Sequence, residues 1–177
     1  MKRIQPALAG ALFAVAFAVS AQTAGPTDPQ IAAIVVTANQ VDIDAGKLAQ
    51  SRSTNKDVKA FGKMMVTDHT GVNKSAVALV TKLKVKPEDN PTAESLKKGG
   101  EDNIKQLKTL KGSAFDKAYI DHEVVYHQAV LDAMDKTLIP SAQNAELKAL
   151  LVKVRPAFVA HLEHAKQLQA KFEKKAA

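Results

Sequence analysis

Histidine is the residue type that could bring the most chemistry to this chain, because the 177 residues include no cysteine. Without cysteine, disulfides, thiolate metal sites and cysteine nucleophiles are all excluded. A soft metal would therefore have to be bound by methionine or histidine. The five histidines are His69, His122, His127, His161 and His164, and the first two directly follow an aspartate.

Interior positions on four predicted helices carry an imidazole or a carboxylate. At 100° per residue, Asp42, His69, His122 and His161 each fall within an apolar stripe of their own helix. His127 falls about 140° from the stripe that contains His122, so we expect it to face away from the core and to be dispensable. Metal and cofactor sites in helical bundles are built from inward-facing side chains of this kind.

These positions predict a metal site, because imidazole and carboxylate ligands together suit Fe, Zn, Mn or Cu(II). A His122/His161 pair is favoured, since the two lie 18 residues before and 21 residues after the predicted turn at Pro140. Counted from the first predicted turn, the positions of Asp42 and His69 along their helix axes differ by about 7 Å, which argues against one compact four-ligand site. The candidate ligands are His69, His122, His161, Asp42, Asp68, Asp121 and His164.

The same positions also have a purely structural interpretation. A histidine on an apolar helix face is often satisfied by a neighbouring carbonyl or carboxylate and binds no metal. An unpartnered buried charge costs several kcal/mol, so each interior group needs a partner, a water molecule or a cation. The sequence leaves both interpretations open.

Motifs of known enzyme classes are missing. His122 and His127 are five residues apart, whereas the zinc-protease helix needs a spacing of four. No glutamate stands three residues before a histidine, so the Glu-x-x-His motif of di-iron bundles is absent. A phosphate-binding glycine loop, a Gly-x-Ser-x-Gly elbow and a dinucleotide fingerprint are also absent. Catalysis therefore has little support.

The first 21 residues predict an export signal. Lys2 and Arg3 precede an apolar stretch at 7–19, which ends in the small-residue cleavage site Val19-Ser20-Ala21. This stretch is too short to span a bilayer. We therefore expect a cleaved signal peptide at 1–21, a linker at 22–28 and one domain at 29–175. The expected location is the periplasm, with association to the cell envelope left open.

The charge of the chain is mildly basic, with 25 Lys and Arg residues against 18 Asp and Glu residues. The lysines form short clusters typical of a solvated surface, and the aromatic residues fit buried stripes, so nucleic-acid binding is not expected. Weak attraction to an anionic membrane surface stays open. We expect a monomer or a homodimer, and no motif identifies a protein partner.

Helix-start signals divide the chain into helical segments, and no strand is predicted. The signals are Asp28-Pro29, a capping box at 54–57, Asn90-Pro91, a capping box at 113–116, and Asn144. The predicted helices cover about 29–51, 55–84, 114–138 and 145–174, with a shorter element inside 91–111. This is an all-α fold with a long connection between its second and third main helices.

Three segments carry a family resemblance. They are VKAFGKMMVTDH at 58–69, FDKAYIDH at 115–122 and FVAHL at 158–162. Together they resemble a bacterial secreted family catalogued as domain of unknown function 4142, and the two Asp-His pairs are the most specific marks. The resemblance implies a ferritin-like four-helix bundle whose long crossover contains a short helix, sometimes described as a predicted outer-membrane protein. It implies no reaction, and Asp42 stands where similar sequences often have Glu.

Two functional hypotheses follow. The first is a periplasmic bundle that binds a metal ion or a small ligand through interior His and Asp side chains. The alternative is a non-catalytic envelope protein, structural or stress-protective, whose buried polar groups serve packing or partner binding.

Overall fold

The structure is a computed structural model that describes residues 25–176, so the predicted signal peptide at 1–21 lies outside the described residues. The described part is all-α and contains no strand. Its helices are α1 Asp28–Arg52, α2 Lys56–Leu83, α3 Pro91–Thr109, α4 Gly112–Ala133 and α5 Ala145–Ala176. Helix α4 continues through a π-helical turn, Met134–Leu138, and a short α-helical turn, Ile139–Ser141.

Asparagine caps begin three of these helices. Asn90 Oδ1 accepts a hydrogen bond from the N–H of Ala93 at 3.1 Å, and Asn144 Oδ1 accepts one from the N–H of Glu146 at 2.9 Å. Both caps were expected, and they supply partners for N–H groups that lack one inside the helix. At the start of α2 the cap is Asn55, whose Oδ1 accepts from the N–H groups of Asp57 and Val58, so the predicted box that begins at Thr54 is wrong by one residue.

Two further predicted caps are wrong. Thr27, rather than Asp28, caps α1, and it does so through a capping box with Gln30. The Asp28 carboxylate instead accepts hydrogen bonds from the N–H groups of Gln143 and Asn144, both at 2.9 Å, and so fixes the start of α1 to the turn before α5. Helix α4 begins at Gly112, with Lys111 at the cap position and no side-chain cap, so Ser113 of the predicted box lies inside the helix. Asp116 of that box is buried.

The four longest helices surround one interior. Helix α1 packs between α2 and α4, and α5 packs between α4 and α2, while α3 lies along α1. Glycines allow two of these close contacts: a Cβ atom at Gly46 of α1 would lie 2.7 Å from the carbonyl oxygen of Gly62 in α2, and one at Gly100 of α3 would lie 2.7 Å from Val41. None of the helices described here is long and apolar enough to cross a membrane.

The interior consists of two apolar clusters with polar side chains between them. One cluster contains Ile31, Leu131, Leu151 and Phe158, and the other contains Phe61, Phe115, Tyr119 and Leu168, with further residues in each. Along α1, α2, α4 and α5 the sequence passes from one cluster to the other. Asp116 is buried within the second cluster, but the other five buried acidic and histidine residues occur near the change from one cluster to the other, so the fold holds them at mid-height in the bundle. They are Asp42, His69, Glu123, His127 and His161.

Candidate metal centre

Three histidines from three helices meet in the middle of the bundle. His69 of α2, His127 of α4 and His161 of α5 are 0 %, 0 % and 3 % exposed. Their ring centroids are 5.2 to 5.6 Å apart. One ring nitrogen of each lies within 4.8 Å of a ring nitrogen of each of the others, which is close enough for the three to converge on one ion.

Hydrogen bonds identify the protonated nitrogen in two of the rings. Asn39 Nδ2 donates to the carbonyl oxygen of Val35 at 2.7 Å, so Asn39 Oδ1 is free to accept from His69 Nδ1 at 2.7 Å. His127 Nδ1 donates to the carbonyl oxygen of Glu123 at 3.0 Å. A neutral imidazole carries one proton, so this network leaves Nε2 of His69 and of His127 unprotonated.

The third ring follows the same rule. His161 Nε2 donates to Asp68 Oδ2 at 2.9 Å, which leaves Nδ1 unprotonated. The three unprotonated nitrogens, His69 Nε2, His127 Nε2 and His161 Nδ1, are buried and have no hydrogen-bond partner among the described residues. A neutral imidazole nitrogen with a free lone pair is a metal ligand, and hydrogen bonding of the other nitrogen orients the ring toward the metal.

Two buried carboxyl groups border the histidines. Asp42 Oδ2 of α1 lies 3.4 Å from His69 Nε2, and Glu123 Oε2 of α4 lies 3.4 Å from His127 Nδ1. Asp42, Glu123 and His127 form a second group whose ligand atoms lie within 4.8 Å of one another. Asp42 Oδ2 and both carboxyl oxygens of Glu123 have no hydrogen-bond partner in the described part of the chain. The cluster thus combines three imidazoles with two carboxyl groups.

Burial shifts the protonation equilibria of Asp42, His69 and His161 toward their neutral forms. It raises the pKa of Asp42 well above its usual range, and the nearby Glu123 carboxyl raises it further. It also lowers the pKa of His69 to about 2, with smaller contributions from His127 and His161. No lysine or arginine is among the buried residues described here. A bound cation would favour the ionised carboxylates and the neutral imidazoles.

Aromatic rings enclose the cluster. Phe158 packs edge-on against His69, with ring centroids 5.0 Å apart, and lies 6.0 Å from His127. Tyr126 lies 6.1 Å from His127 on another side, and its hydroxyl donates to the carbonyl oxygen of Ala38 at 3.0 Å. These apolar walls limit access of water and strengthen electrostatic interactions inside the site.

The prediction for α4 is wrong about which histidine joins the interior group. His127 is fully buried in the cluster, whereas His122 is only partly buried, stacks on Tyr126 at 5.6 Å and belongs to neither ligand group. The predicted stripe relied on alanines such as Ala129 that are in fact exposed. The true stripe contains Glu123 and His127, and polar residues of this kind conceal a core face from a search for apolar periodicity.

The predicted offset between Asp42 and His69 is also wrong. It counted the three non-helical residues 53–55 as if they rose along a helix. Asp42 lies ten residues before the end of α1 and His69 thirteen residues after the start of α2, an offset of about 4.5 Å at 1.5 Å per residue. Side chains also lean toward the N-terminus of their helix, so His69 leans toward the turn and Asp42 away from it, which brings them together.

Other predicted ligands lie outside the cluster. Asp68 contacts it only through its hydrogen bond to His161. Asp121 accepts a hydrogen bond from Lys117 at 2.6 Å and another from Gln169 at 2.8 Å. His164 packs edge-on against Phe61. Of the predicted set, the structure brings together Asp42, His69 and His161, and it adds His127, Glu123 and the positioning residue Asn39, which the sequence did not identify. Metal binding by any of them stays a prediction.

The fold and this cluster define a class of protein: an all-α helical bundle with imidazole and carboxyl groups buried at its centre. Residues 14–168 match the family model described as Domain of unknown function (DUF4142), so the chain belongs to this family, as the three sequence segments indicated. A search of curated proteins and a search of solved structures each found no match.

Proposed function

We propose that this protein binds a first-row transition-metal ion, Fe, Zn, Mn or Cu(II), in the centre of the bundle. His69, His127 and His161 would supply nitrogen ligands, and Asp42 and Glu123 would supply carboxylate oxygens. The observation that carries the proposal is the convergence of three buried imidazoles, each with one nitrogen held by a hydrogen bond and one left as a free lone pair. Nitrogen and oxygen donors together suit these ions.

A purely structural role explains this arrangement less well. Each buried polar group without a partner costs about 1–3 kcal/mol, and five neighbouring residues of this cluster contain atoms without a hydrogen bond. The one proton of a neutral Asp42 carboxyl, which lies beside Glu123 and 3.4 Å from His69 Nε2, can serve only one of these atoms. Apolar side chains of similar size would stabilise a bundle at least as well. One cation would supply a partner to several of these atoms together, and the folded chain holds them in place by hydrogen bonds behind the rings.

The proposal includes a cellular location. The basic and apolar segments within 1–21 support export to the periplasm, and the family resemblance supports a ferritin-like architecture. We therefore propose a periplasmic or envelope-associated metal-binding protein rather than an enzyme, since the zinc-protease, di-iron, nucleophile-elbow and nucleotide-binding motifs are absent from the sequence.

The test is the metal content and thermal stability of protein purified without a histidine tag. We expect near-stoichiometric Fe, Zn, Mn or Cu after growth with the metal. A metal at about 100 times its Kd adds about 2.7 kcal/mol, which raises the Tm by about 5–10 °C for a chain of this size. His127→Ala should abolish that rise, whereas the matched control His122→Ala should retain it.

A second substitution guards against a folding defect. His127→Gln keeps a side chain of similar size, so its helical circular dichroism should match the wild type while the metal response is lost. If wild-type protein contains no metal after supplementation and its Tm ignores all four ions, the metal proposal is overturned and the structural role is favoured. Equal metal responses in His122→Ala and His127→Ala would overturn the assigned ligand set.

A further inference from the structure

A cavity of about 500 Å³ lies beside the histidine cluster. Residues from all five helices line it, and Asn39, Tyr126 and Phe158 belong both to its wall and to the surroundings of the histidines. Most of the remaining wall is aliphatic. Its main aliphatic residues are Ile34, Val35, Leu96, Val130, Met134 and Leu151. Small-molecule sites in proteins have volumes of about 300–1,000 Å³, so the cavity is of ligand size.

The wall contains no charged residue. Its polar side chains are largely satisfied by the protein itself. Asn39 donates to Val35 and accepts from His69, and the Tyr126 hydroxyl donates to the carbonyl oxygen of Ala38. Asn90 donates to two carbonyl oxygens and accepts from a backbone N–H group. A ligand in this cavity therefore meets an aliphatic surface with few free hydrogen-bonding groups and no counter-ion.

One side of the cavity is formed by the π-helical turn Met134–Leu138 that continues α4. Met134 and Leu138 bound the π-helical turn, and both line the cavity with Thr137 between them. Single π-helical turns within α-helices are frequent at functional sites. Methionine adapts its shape easily to apolar ligands, which suits a wall that must accommodate a flexible chain.

We propose that this cavity binds an uncharged aliphatic molecule, in the class of alkyl alcohols and acyl esters. The lack of any cationic side chain in the wall disfavours a fatty-acid carboxylate, because a desolvated anion there would have no partner. The aliphatic lining supplies the hydrophobic driving force. This binding does not depend on a metal in the histidine cluster, so it goes beyond the metal-binding proposal.

The experiment uses N-phenylnaphthylamine, an uncharged fluorophore that brightens in apolar sites, with metal-free protein in a chelator. We expect saturable binding, and we expect dodecanol to displace the probe at a concentration at least about tenfold below that needed for dodecanoate. Ala133→Trp fills the cavity from an exposed position of its wall and should weaken probe binding by at least about tenfold. Ala114→Trp, also exposed on α4 but outside the wall, is the matched control and should bind as the wild type does.

Four results would overturn the proposal. One is the absence of saturable probe binding, and another is equal weakening by both tryptophan variants. Stronger displacement by dodecanoate than by dodecanol would mean that the ligand is anionic. Dimerisation that Ala133→Trp abolishes would assign the cavity to a second copy of the chain. Each of these leaves the metal measurements unaffected, so failure of one proposal is distinguishable from failure of the other.

Discussion

At the scale of single residues, the amide of Asn39 determines the chemistry of His69. The amide nitrogen is used by the carbonyl oxygen of Val35, so only the amide oxygen faces the ring, and that oxygen can only accept. His69 Nδ1 must therefore carry the proton, and Nε2 offers its lone pair toward Asp42 and the other histidines. One hydrogen bond thus determines both the tautomer and the orientation of a proposed ligand.

Replacing Asn39 with alanine should weaken both folding and metal binding. The buried Nδ1–H of His69 would lose its acceptor, which costs about 1–3 kcal/mol of the free energy of unfolding. Metal affinity should fall by about 10- to 100-fold, because partners of metal-bound histidines contribute that much in known sites. Urea denaturation of metal-free protein measures the first effect, and competition with a chelator measures the second.

Asn73→Ala provides the matched control. Asn73 also lies on a bundle helix and donates one hydrogen bond to a carbonyl oxygen of α1, that of Val36 at 3.3 Å, but no hydrogen bond connects it to the histidines. We expect a loss of stability of about 0.5–1.5 kcal/mol and an unchanged metal affinity. If Asn39→Ala binds metal as tightly as Asn73→Ala does, the positioning role of Asn39 is wrong.

The sequence predicts part of this residue-level arrangement. Asp42, His69 and His161 stand out because each is a polar residue within an otherwise apolar stripe. Glu123 and His127 do not, because on α4 the core face itself carries Asp116, Glu123 and His127 and so resembles a solvated face. Their spacing of seven and four residues, which continues to Leu131, is the signal that could have revealed the face.

At the scale of helices, the α1–α2 contact brings Asp42 to His69. The two glycines at the crossing, Gly46 and Gly62, lie four residues beyond Asp42 and seven residues before His69. A Cβ atom at Gly62 would meet the carbonyl oxygen of Gly46 at 2.9 Å and the Cβ atom of Ala49 at 3.0 Å. The backbones therefore approach as closely as they do because neither residue has a side chain.

Gly62→Ala should destabilise the protein, whereas Gly71→Ala on the same helix should stabilise it. The first substitution forces α1 and α2 apart, with a cost of about 1–3 kcal/mol for overpacking. The second meets no atom within 4 Å, so only helix propensity changes, by about 0.5–1 kcal/mol in favour of folding. Chemical denaturation measures the change in the free energy of unfolding of each variant. A Gly62→Ala protein as stable as the wild type would contradict the close approach of the α1 and α2 backbones.

Helix bounds are the best-predicted feature at this scale, because they depend on local chemistry. Asn90-Pro91 and Asn144 satisfy backbone N–H groups within a few residues, so the sequence alone reveals them. Asp28 resembles such a cap but bonds to residues 115 and 116 positions away. No local pattern contains that information. Local sequence also does not determine the positions of Asp42 and His69 along the bundle axis, because these depend on how the turn at 53–55 joins α1 to α2.

At the scale of the whole molecule, the layered interior couples the stability of the bundle to the charge state of its centre. Two apolar clusters pack above and below five buried ionisable residues that come from four different helices. Every long helix except α3 contributes to that layer. Protonation or metal binding at the centre should therefore act on the cooperative unfolding of the entire bundle rather than on one helix.

Metal-free protein should lose stability as the pH falls from about 7.5 to about 5. Burial holds the pKa of His69 near 2 in the folded state against 6.5 in the unfolded chain, so between these values only the unfolded chain binds the proton. Burial also lowers the pKa of His122 and of His161, which gives the same sign. Each such group removes about 1.4 kcal/mol per pH unit once the pH is below 6.5 and above its folded pKa.

Asp42 opposes this trend, because its raised pKa makes the folded state bind a proton that the unfolded chain releases above 3.8. Its contribution is lost as the pH rises, but one carboxyl group acts against three histidines, so the net loss of stability lies on the acid side. The titratable groups facing His69 are Asp42 on α1, His127 on α4 and His161 on α5.

Urea denaturation of the wild type at the two pH values measures the difference in its free energy of unfolding. In His69→Gln the difference should shrink, since one of the three opposing groups is gone. If the difference in His69→Gln is as large as in the wild type, His69 does not stay neutral inside the fold while it becomes protonated in the unfolded chain, and the assignment of His69 as a neutral imidazole ligand is wrong.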